Sequence, residues 1–216
     1  MSAMRWASTR VWCWKTSPDP IGGSDATELL GGASAPFSVS FPCVTLAQRE
    51  NAMTEPTYAA GPADFLSLAE VQAMTGLDYM RAMLAGQVPT TTFARGCNYR
   101  ITRVEPGLVE VTGTPGHEHT NAFGGVHGGW YGVLLDTALT CAVITGLKRG
   151  QYQTTTEYKV NMLRAIPPGT EVRAIGRVEH VGRSTGVARG EIVGTADGKT
   201  YALGTATCLI MGASAG

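Results

Sequence analysis

Residues 116–146 have the sequence GHEHTNAFGGVHGGWYGVLLDTALTCAVITG, and the part from Gly128 to Gly146 decides the fold. This part is apolar nearly all round and would form a helix roughly 28 Å long. A helix of that kind is either buried within a protein or spans a membrane. Asp136 at its centre, its glycines and the strand patterns on both sides favour the buried helix, so we predict that it does not span a membrane.

Six runs of alternating polar and apolar residues flank this helix and predict β-strands. Turn sequences rich in proline and glycine separate neighbouring runs, which suits antiparallel neighbours. The predicted fold class is therefore α+β, with an antiparallel five- or six-stranded sheet wrapped around the long helix and a helical extension before it. In the last run, one face carries only small residues, which would let a helix approach closely. The runs are residues 97–104, 108–114, 153–165, 170–181, 185–196 and 200–211.

The chain before residue 97 divides into two predicted parts. Residues 1–60 form an extension that, up to about residue 52, shows no sustained periodicity. Three interpretations of it stay open: a disordered segment, a targeting segment without the apolar core of a secretory signal, or translation that starts at Met53. Residues 61–96 are predicted to form a helical N-terminal cap, and residues 97–212 the main domain.

Two helices are predicted in this cap. A capping box, SLAE at residues 67–70, opens the first, which is expected to end at Gly76. The second is expected from Asp78 to about Ala85, where Gly86 stops it.

The composition excludes several classes of function. Seventeen basic and seventeen acidic residues leave no net charge, so no basic surface for nucleic acid is expected. The five cysteines are scattered and have no zinc-ligand spacing. We therefore predict a reduced, cytoplasmic protein without a structural metal.

The segment from Gly116 to Trp130, followed by Asp136, resembles the signature of PaaI-type hotdog-fold thioesterases. In that family an N-x-x-G-x-x-H-G-G loop opens the central helix, and an acidic residue follows about two turns later. Residues 155–164 are similar to the family's first strand after the helix, so the resemblance covers roughly residues 95–211. It implies a hotdog fold, hydrolysis of acyl-CoA thioesters without a cofactor beyond the CoA of the substrate, and assembly into a homodimer or homotetramer.

Asp136 is the predicted catalytic carboxylate. An ionised carboxylate is costly in apolar surroundings, and no lysine or arginine lies within ten residues of Asp136 on either side. The alternative is that Asp136 has a structural role only and is hydrogen-bonded by backbone donors or by a residue distant in sequence. As a catalyst, Asp136 would act as general base on water or attack the carbonyl itself, and both routes need the ionised form.

Gly128 is predicted to supply an oxyanion donor through its backbone N–H. A helix N-terminus has unpaired N–H groups and a positive dipole end, and glycine lets a ligand approach the backbone. Gly128 and Asp136 are eight residues apart, about 12 Å along a helix. If they act on one carbonyl, they must come from different protomers of a two-fold dimer.

Several further residues have predicted roles in the site. Asn121 would position the thioester and water, or would only turn the loop. His127 would act as acid or base, or, as the resemblance favours, would support the loop. Thr155 aligns with a hydroxyl that orients the attacking water in some relatives. Gly129, Arg183 and Ser184 would bind CoA, with Arg183 pairing with its phosphates.

Other side chains of the motif are expected to lie in loops or to line an acyl pocket. His117 and His119 are expected to be solvated loop residues. Phe123, Trp130, Tyr131 and the segment 89–93 are candidates for the wall of an acyl pocket, although bulky residues in such a motif more often belong to the core.

Two rival functions stay open at this point. One is a hotdog enoyl-CoA hydratase or dehydratase, which uses a catalytic histidine and an acidic residue in a different loop pattern. The other is a non-catalytic acyl-CoA-binding module. The His-Gly-Gly sequence at 127–129 together with Asp136 favours the thioesterase.

Overall fold

The computed structural model describes residues 56–212. The predicted extension at residues 1–60 therefore lies outside the described residues up to residue 55. Within residues 56–212, no helix is long and apolar enough to cross a membrane.

A six-stranded antiparallel sheet and one long helix form the body of the described chain. The strand order is β1-β2-β4-β5-β6-β3, which leaves β1 and β3 at the two edges. This confirms the predicted fold class and settles the strand number at six. The strands are β1 Tyr99–Glu105, β2 Leu108–Gly113, β3 Tyr152–Met162, β4 Val172–Val181, β5 Thr185–Gly194 and β6 Thr200–Met211. The helices are α1 Leu68–Gln72, α2 Gly76–Leu84, α3 Thr92–Gly96 and α4 Gly128–Ile144, with 3₁₀ turns at Pro62–Asp64 and His117–His119.

The core lies between α4 and the sheet that wraps around it. Leu134, Leu135 and Leu139 of α4 are fully buried. Burying a leucine side chain contributes about 1.5–3 kcal/mol. The small-residue face predicted for β6 is buried as well, with Ala202 and Cys208 at zero exposure. A long apolar helix surrounded by a sheet explains why the helix sequence is apolar nearly all round.

Glycine lets the sheet and α4 come together at one point of close approach. A Cβ atom on Gly176 of β4 would lie 2.1 Å from the carbonyl oxygen of Ala138 in α4. No side chain fits in that space. The nearest atoms belong to the backbone of α4, which cannot shift without moving the helix. Gly176 thereby sets the distance between the sheet and the helix.

The helical extension begins as the sequence predicts and then differs. Ser67 caps α1, and the Glu70 side chain accepts a hydrogen bond from the Ser67 N–H, so the capping box is confirmed. The prediction that Gly76 ends this helix is wrong: α1 stops at Gln72, Thr75 caps α2, and Gly76 is the first residue of α2. A Cβ atom on Gly76 would lie 1.7 Å from the Ile144 carbonyl oxygen, so glycine is needed here for packing against α4.

Helix α3 was not predicted from the sequence. It has five residues, too few to show a helical period, and Thr91 caps it through a hydrogen bond from the Ala94 N–H. Helices α2 and α3 both lie against β1.

We expect Gly176→Ala to lower the free energy of unfolding by about 1–3 kcal/mol or more, the usual cost of overpacking. The added methyl group would push α4 away from β4 at Ala138. Urea unfolding of the variant and the wild type measures the difference.

Gly96→Ala is the matched control, because nothing lies within 4 Å of a Cβ atom at that exposed position. It should leave the unfolding free energy within about 1 kcal/mol of the wild type. Equal stability of the two variants would show that the approach of β4 to α4 does not constrain the core.

Candidate active site

The loop before α4 is closed by the side chain of Asn121. Its Oδ1 accepts hydrogen bonds from the N–H groups of Phe123 at 2.9 Å and Gly125 at 3.3 Å. Gly124 has a φ of 78°, in the left-handed region that favours glycine. The oxygen of Asn121 is therefore used to turn the loop, whereas its amide Nδ2 has no hydrogen bond among the described residues and points to no fixed partner.

His119 is a buried structural residue of this loop, so the prediction that it is solvated is wrong. Its Nδ1 accepts a hydrogen bond from the Gly116 N–H at 2.8 Å, which leaves Nε2 to donate to the Gly96 carbonyl at 2.8 Å. The side chain of His119 is only 8% exposed. It ties the loop to the end of α3, whereas His117 is exposed as expected.

His127 is the N-cap of α4. Its backbone is extended, and its Nδ1 accepts a hydrogen bond from the Gly129 N–H at 2.9 Å. This geometry holds the loop against the helix start and fits the supporting role favoured by the resemblance. The Gly129 N–H is consequently engaged inside the protein.

The N–H of Gly128 is a free donor at the start of α4. Gly128 is the first residue of the helix, where no intrahelical acceptor exists, and no hydrogen bond to its N–H is found within residues 56–212. A Cβ atom here would meet only the end of the Met162 side chain, at 3.0 Å. Between the two glycines at 128 and 129, Gly128 is thus the one whose N–H can bind an anion at the dipole's positive end.

Asp136 lies two turns further along α4, on the side that faces β3. Its Oδ1 accepts a hydrogen bond from the Thr155 hydroxyl at 3.2 Å. Among the described residues, Asp136 has no ion-pair partner. Burial raises the pKa of Asp136, and the Thr155 hydrogen bond acts in the opposite direction. The hydrogen bond from Thr155 thus orients the Asp136 carboxylate and stabilises its ionised form, which burial in α4 disfavours.

Gly128 and Asp136 cannot meet within one chain. Both lie on one continuous helix of 17 residues, and their eight-residue separation corresponds to about 12 Å. The structure brings Thr155 to Asp136 in the middle of α4 and leaves the Gly128 N–H at the N-terminal end of the helix.

Arg183 and Ser184 lie far from Gly128 within the chain. They form the exposed turn between β4 and β5. Val181 at the base of this turn packs against Gly146, just past the C-terminal end of α4. The turn is therefore at the opposite end of the helix from the free N–H.

The aromatic candidates for an acyl pocket have other positions. Trp130 and Tyr131 are core residues, 4% and 3% exposed, which is the alternative that the sequence analysis favours for bulky residues of the motif. Tyr131 accepts a hydrogen bond from the Ile166 N–H and donates to the Arg164 carbonyl. Phe123 is 97% exposed on the loop.

A cavity next to the start of α3 is lined in part by Thr90 and Thr91, which belong to the segment 89–93 that the sequence offers as a candidate pocket wall. It lies between α2, α3, β1 and α4, and Thr137, the neighbour of Asp136, is part of its wall. The Thr137 hydroxyl also donates to Tyr99 Oη at 3.3 Å. No sequence signal identifies the other walls, because they come from elements that only the tertiary fold brings together.

No metal site is found in the described part of the chain. There, no group of three or more His, Cys, Asp or Glu side chains could hold an ion.

We expect Asp136→Asn to raise the free energy of unfolding at neutral pH. Because burial raises the pKa of Asp136, ionisation is harder in the folded state than in the unfolded chain, where the pKa is near 3.8. The unfolded state then binds fewer protons than the folded one, so the wild type loses stability as pH rises from 3.8 to the folded pKa. The gain in free energy of unfolding of Asp136→Asn over the wild type should be complete above the folded-state pKa and absent below pH 3.8.

Urea unfolding at about pH 3 and about pH 7, at equal protein concentration, tests this difference. A less stable Asp136→Asn at neutral pH would mean that the ionised carboxylate stabilises the fold.

The chain is similar to known hotdog proteins across its described domain. Residues 123–200 match the family model of the thioesterase superfamily. The PaaI protein of the E. coli phenylacetic acid degradation operon is 26% identical, with 68% of this chain and 99% of that chain covered and a TM-score of 0.54. A point mutant of the Thermus thermophilus phenylacetic acid degradation protein PaaI is 27% identical, with 55% and 97% covered and a TM-score of 0.50. The TT0310 protein of the same organism is 28% identical, with 55% and 96% covered and a TM-score of 0.50. No curated protein sequence matches significantly. Residues 123–200 are thus similar to the thioesterase superfamily, and the described domain, with its His-Gly-Gly helix start, resembles PaaI-type hotdog thioesterases.

Proposed function

We propose that this protein hydrolyses acyl-CoA thioesters to the free acid and CoA, at sites shared between two protomers. The observation that carries the proposal is the arrangement of α4, with a free N–H at its first residue and a half-buried carboxylate two turns later. In each site, Gly128 of one protomer would bind the thioester oxygen, and Asp136 of the other would act on the carbonyl carbon. The reaction needs no cofactor, and we place the protein in the cytoplasm.

The Gly128 N–H suits a developing oxyanion. It is unpaired, it lies at the positive end of the dipole of a 17-residue helix, and no side chain of its own blocks approach. In the tetrahedral state the carbonyl oxygen takes a full negative charge, so a donor there favours this state over the substrate. Comparable donors contribute about 3 kcal/mol to the transition state.

Asp136 supplies the second requirement, an ionised carboxylate close to apolar surroundings. The ordinary pKa of this carboxyl is 3.8, so a moderate rise by burial leaves it ionised near neutral pH. It can take a proton from water as the water attacks the carbonyl, or attack the carbonyl itself to give an anhydride that water then hydrolyses. In both routes the thiolate of CoA leaves and is protonated.

The edge strand β3 supports a homodimer, or a tetramer of two such dimers. One edge of β3 has no partner strand in the described chain, and its exposed Tyr158 and Met162 are 48% and 54% accessible. These side chains contact Gly132 and Gly128 on the N-terminal half of α4. An apolar unpaired edge calls for a partner, and one packed here would lie directly beside the free N–H.

The CoA part of the substrate would extend from this centre to the turn with Arg183 and Ser184. Within the chain that provides Asp136, this turn lies near Gly146, about 15 Å further along the axis of α4. The pantetheine arm separates the thioester from the phosphates, so a cation at that distance can pair with them. Near the carbonyl, the Asn121 Nδ2 offers a further polar contact, and the exposed Gly129, which has no side chain, leaves room for the CoA arm.

We expect Asp136→Asn to lower kcat of thiol release by about 100-fold or more, the usual contribution of a positioned acid or base. Because the substitution keeps the size of the side chain and its hydrogen bond from Thr155, CoA binding should be retained. Thiol release from a series of acyl-CoA esters and calorimetric binding of CoA measure the two quantities.

Gly128→Pro should lower kcat by about 100- to 1,000-fold, because it removes the N–H donor. Proline is favoured at the first position of a helix, and the extended backbone of His127 is compatible with a following proline. Gly128→Ala is the matched control, since it adds a Cβ atom at the same place beside Met162 and keeps the donor. Equal activity of the two variants would exclude this oxyanion donor.

The same assays separate the rival functions. Addition of water to an enoyl-CoA without thiol release would identify a hydratase. A wild type that binds CoA but is as inert as Asp136→Asn on every ester would identify a binding module.

Heterodimers provide a test of the shared site. A Gly128→Pro chain combined with an Asp136→Asn chain contains one site with both native residues, so it should regain up to about half of the wild-type activity. The two chains carry different affinity tags, and the doubly tagged dimer is assayed after isolation. Lack of recovery in folded heterodimers would contradict the proposal that each site uses two protomers.

A further inference from the structure

The cavity between the helical extension and α4, called the cap cavity below, has a volume of about 250 Å³. Helix α2 forms one wall and α4 the opposite one, while α3 and β1 complete it. It belongs entirely to one chain.

The walls of the cap cavity are mainly apolar. Met83 and Leu84 of α2, Ile101 of β1 and Ile144 of α4 contribute side chains, and Arg100 is the one charged residue in the described lining. An apolar cavity that is not filled by the protein's own side chains is a typical small-molecule site.

The α4 wall of the cap cavity includes the residue that follows the proposed catalytic carboxylate in the chain. Thr137, which follows Asp136, and Cys141, one turn further, both belong to its wall. The pKa of Cys141 is raised to about 12, first by burial and then by the Asp136 carboxylate.

We propose that the cap cavity binds the acyl group of the substrate and that Met83 sets the size of the group accepted. This inference rests on the proposed thioesterase function. A cavity of about 150 Å³ binds benzene, so the cap cavity would accept an apolar acyl group of about six to ten carbons. Met83 is only half-buried, whereas the neighbouring Met80 is fully buried in the core, so Met83 can be changed with less damage to the fold.

Substitutions of Met83 test this assignment through chain-length preference. Met83→Trp, which fills the cavity, should lower kcat/KM for octanoyl-CoA by about tenfold or more and change that for acetyl-CoA by less than about threefold. Met83→Ala, which enlarges it, should move the preferred chain length up by about two or three carbons.

Met74→Trp is the matched control for damage to the helical extension. Met74 lies between α1 and α2 and lines a different cavity, next to Tyr152 and Gln153 of β3. This variant should keep the wild-type ratio of octanoyl-CoA to acetyl-CoA activity. An unchanged ratio in both Met83 variants, or the same altered ratio in Met74→Trp, would overturn the proposal.

If the wild type releases no thiol from any ester, the proposed function fails. Binding of unreactive thioethers then still tests the cap cavity. Wild type should bind S-octyl-CoA about tenfold or more tightly than S-ethyl-CoA in calorimetric titrations, and Met83→Trp should lose this difference. Equal affinities of the wild type for the two thioethers would overturn the assignment independently of catalysis.

Discussion

The fixed rise of helix α4 is the constraint from which the proposed chemistry follows. A continuous helix places the free N–H of Gly128 and the carboxylate of Asp136 about 12 Å apart and permits no hinge between them. The surrounding sheet reinforces this rigidity, because the backbone of Gly176 touches the backbone of Ala138. A thioester carbonyl that needs both groups must therefore lie between two such helices.

The position of Asp136 opposes stability and serves reactivity. Complete burial would favour the neutral acid, and full exposure would surround the carboxylate with water. Asp136 is between these limits, half-buried beside β3, with one hydroxyl from Thr155 as its partner. That hydroxyl donates to one oxygen and leaves the other available, which suits a group that must accept a proton or form a bond.

The sequence predicted what local patterns encode and missed what only tertiary contact determines. The apolar helix, the turns and the small face of β6 follow from composition and period, and all were confirmed. Gly76 was misassigned because a helix-ending glycine and a glycine required by close packing look identical in sequence. The burial of His119 was not predicted because its partners, Gly116 and Gly96, are brought to it only by folding. For the cap cavity, the sequence offered only the segment 89–93 as a candidate wall, and the remaining walls had no local signal.

The two edge strands of the sheet, β1 and β3, have different surroundings, and this difference determines where the parts of the proposed site lie. Helices α2 and α3 lie against β1, so that edge faces the chain's own extension. The β3 edge is unpaired in the described chain and exposes Tyr158 and Met162 next to α4. In the proposed arrangement, a partner protomer would pack at β3, near the free N–H, and the acyl group would bind in the cap cavity on the β1 side. Asp136 lies between the two sides, so the thioester bond, which joins acyl group and CoA, would be placed at the carboxylate.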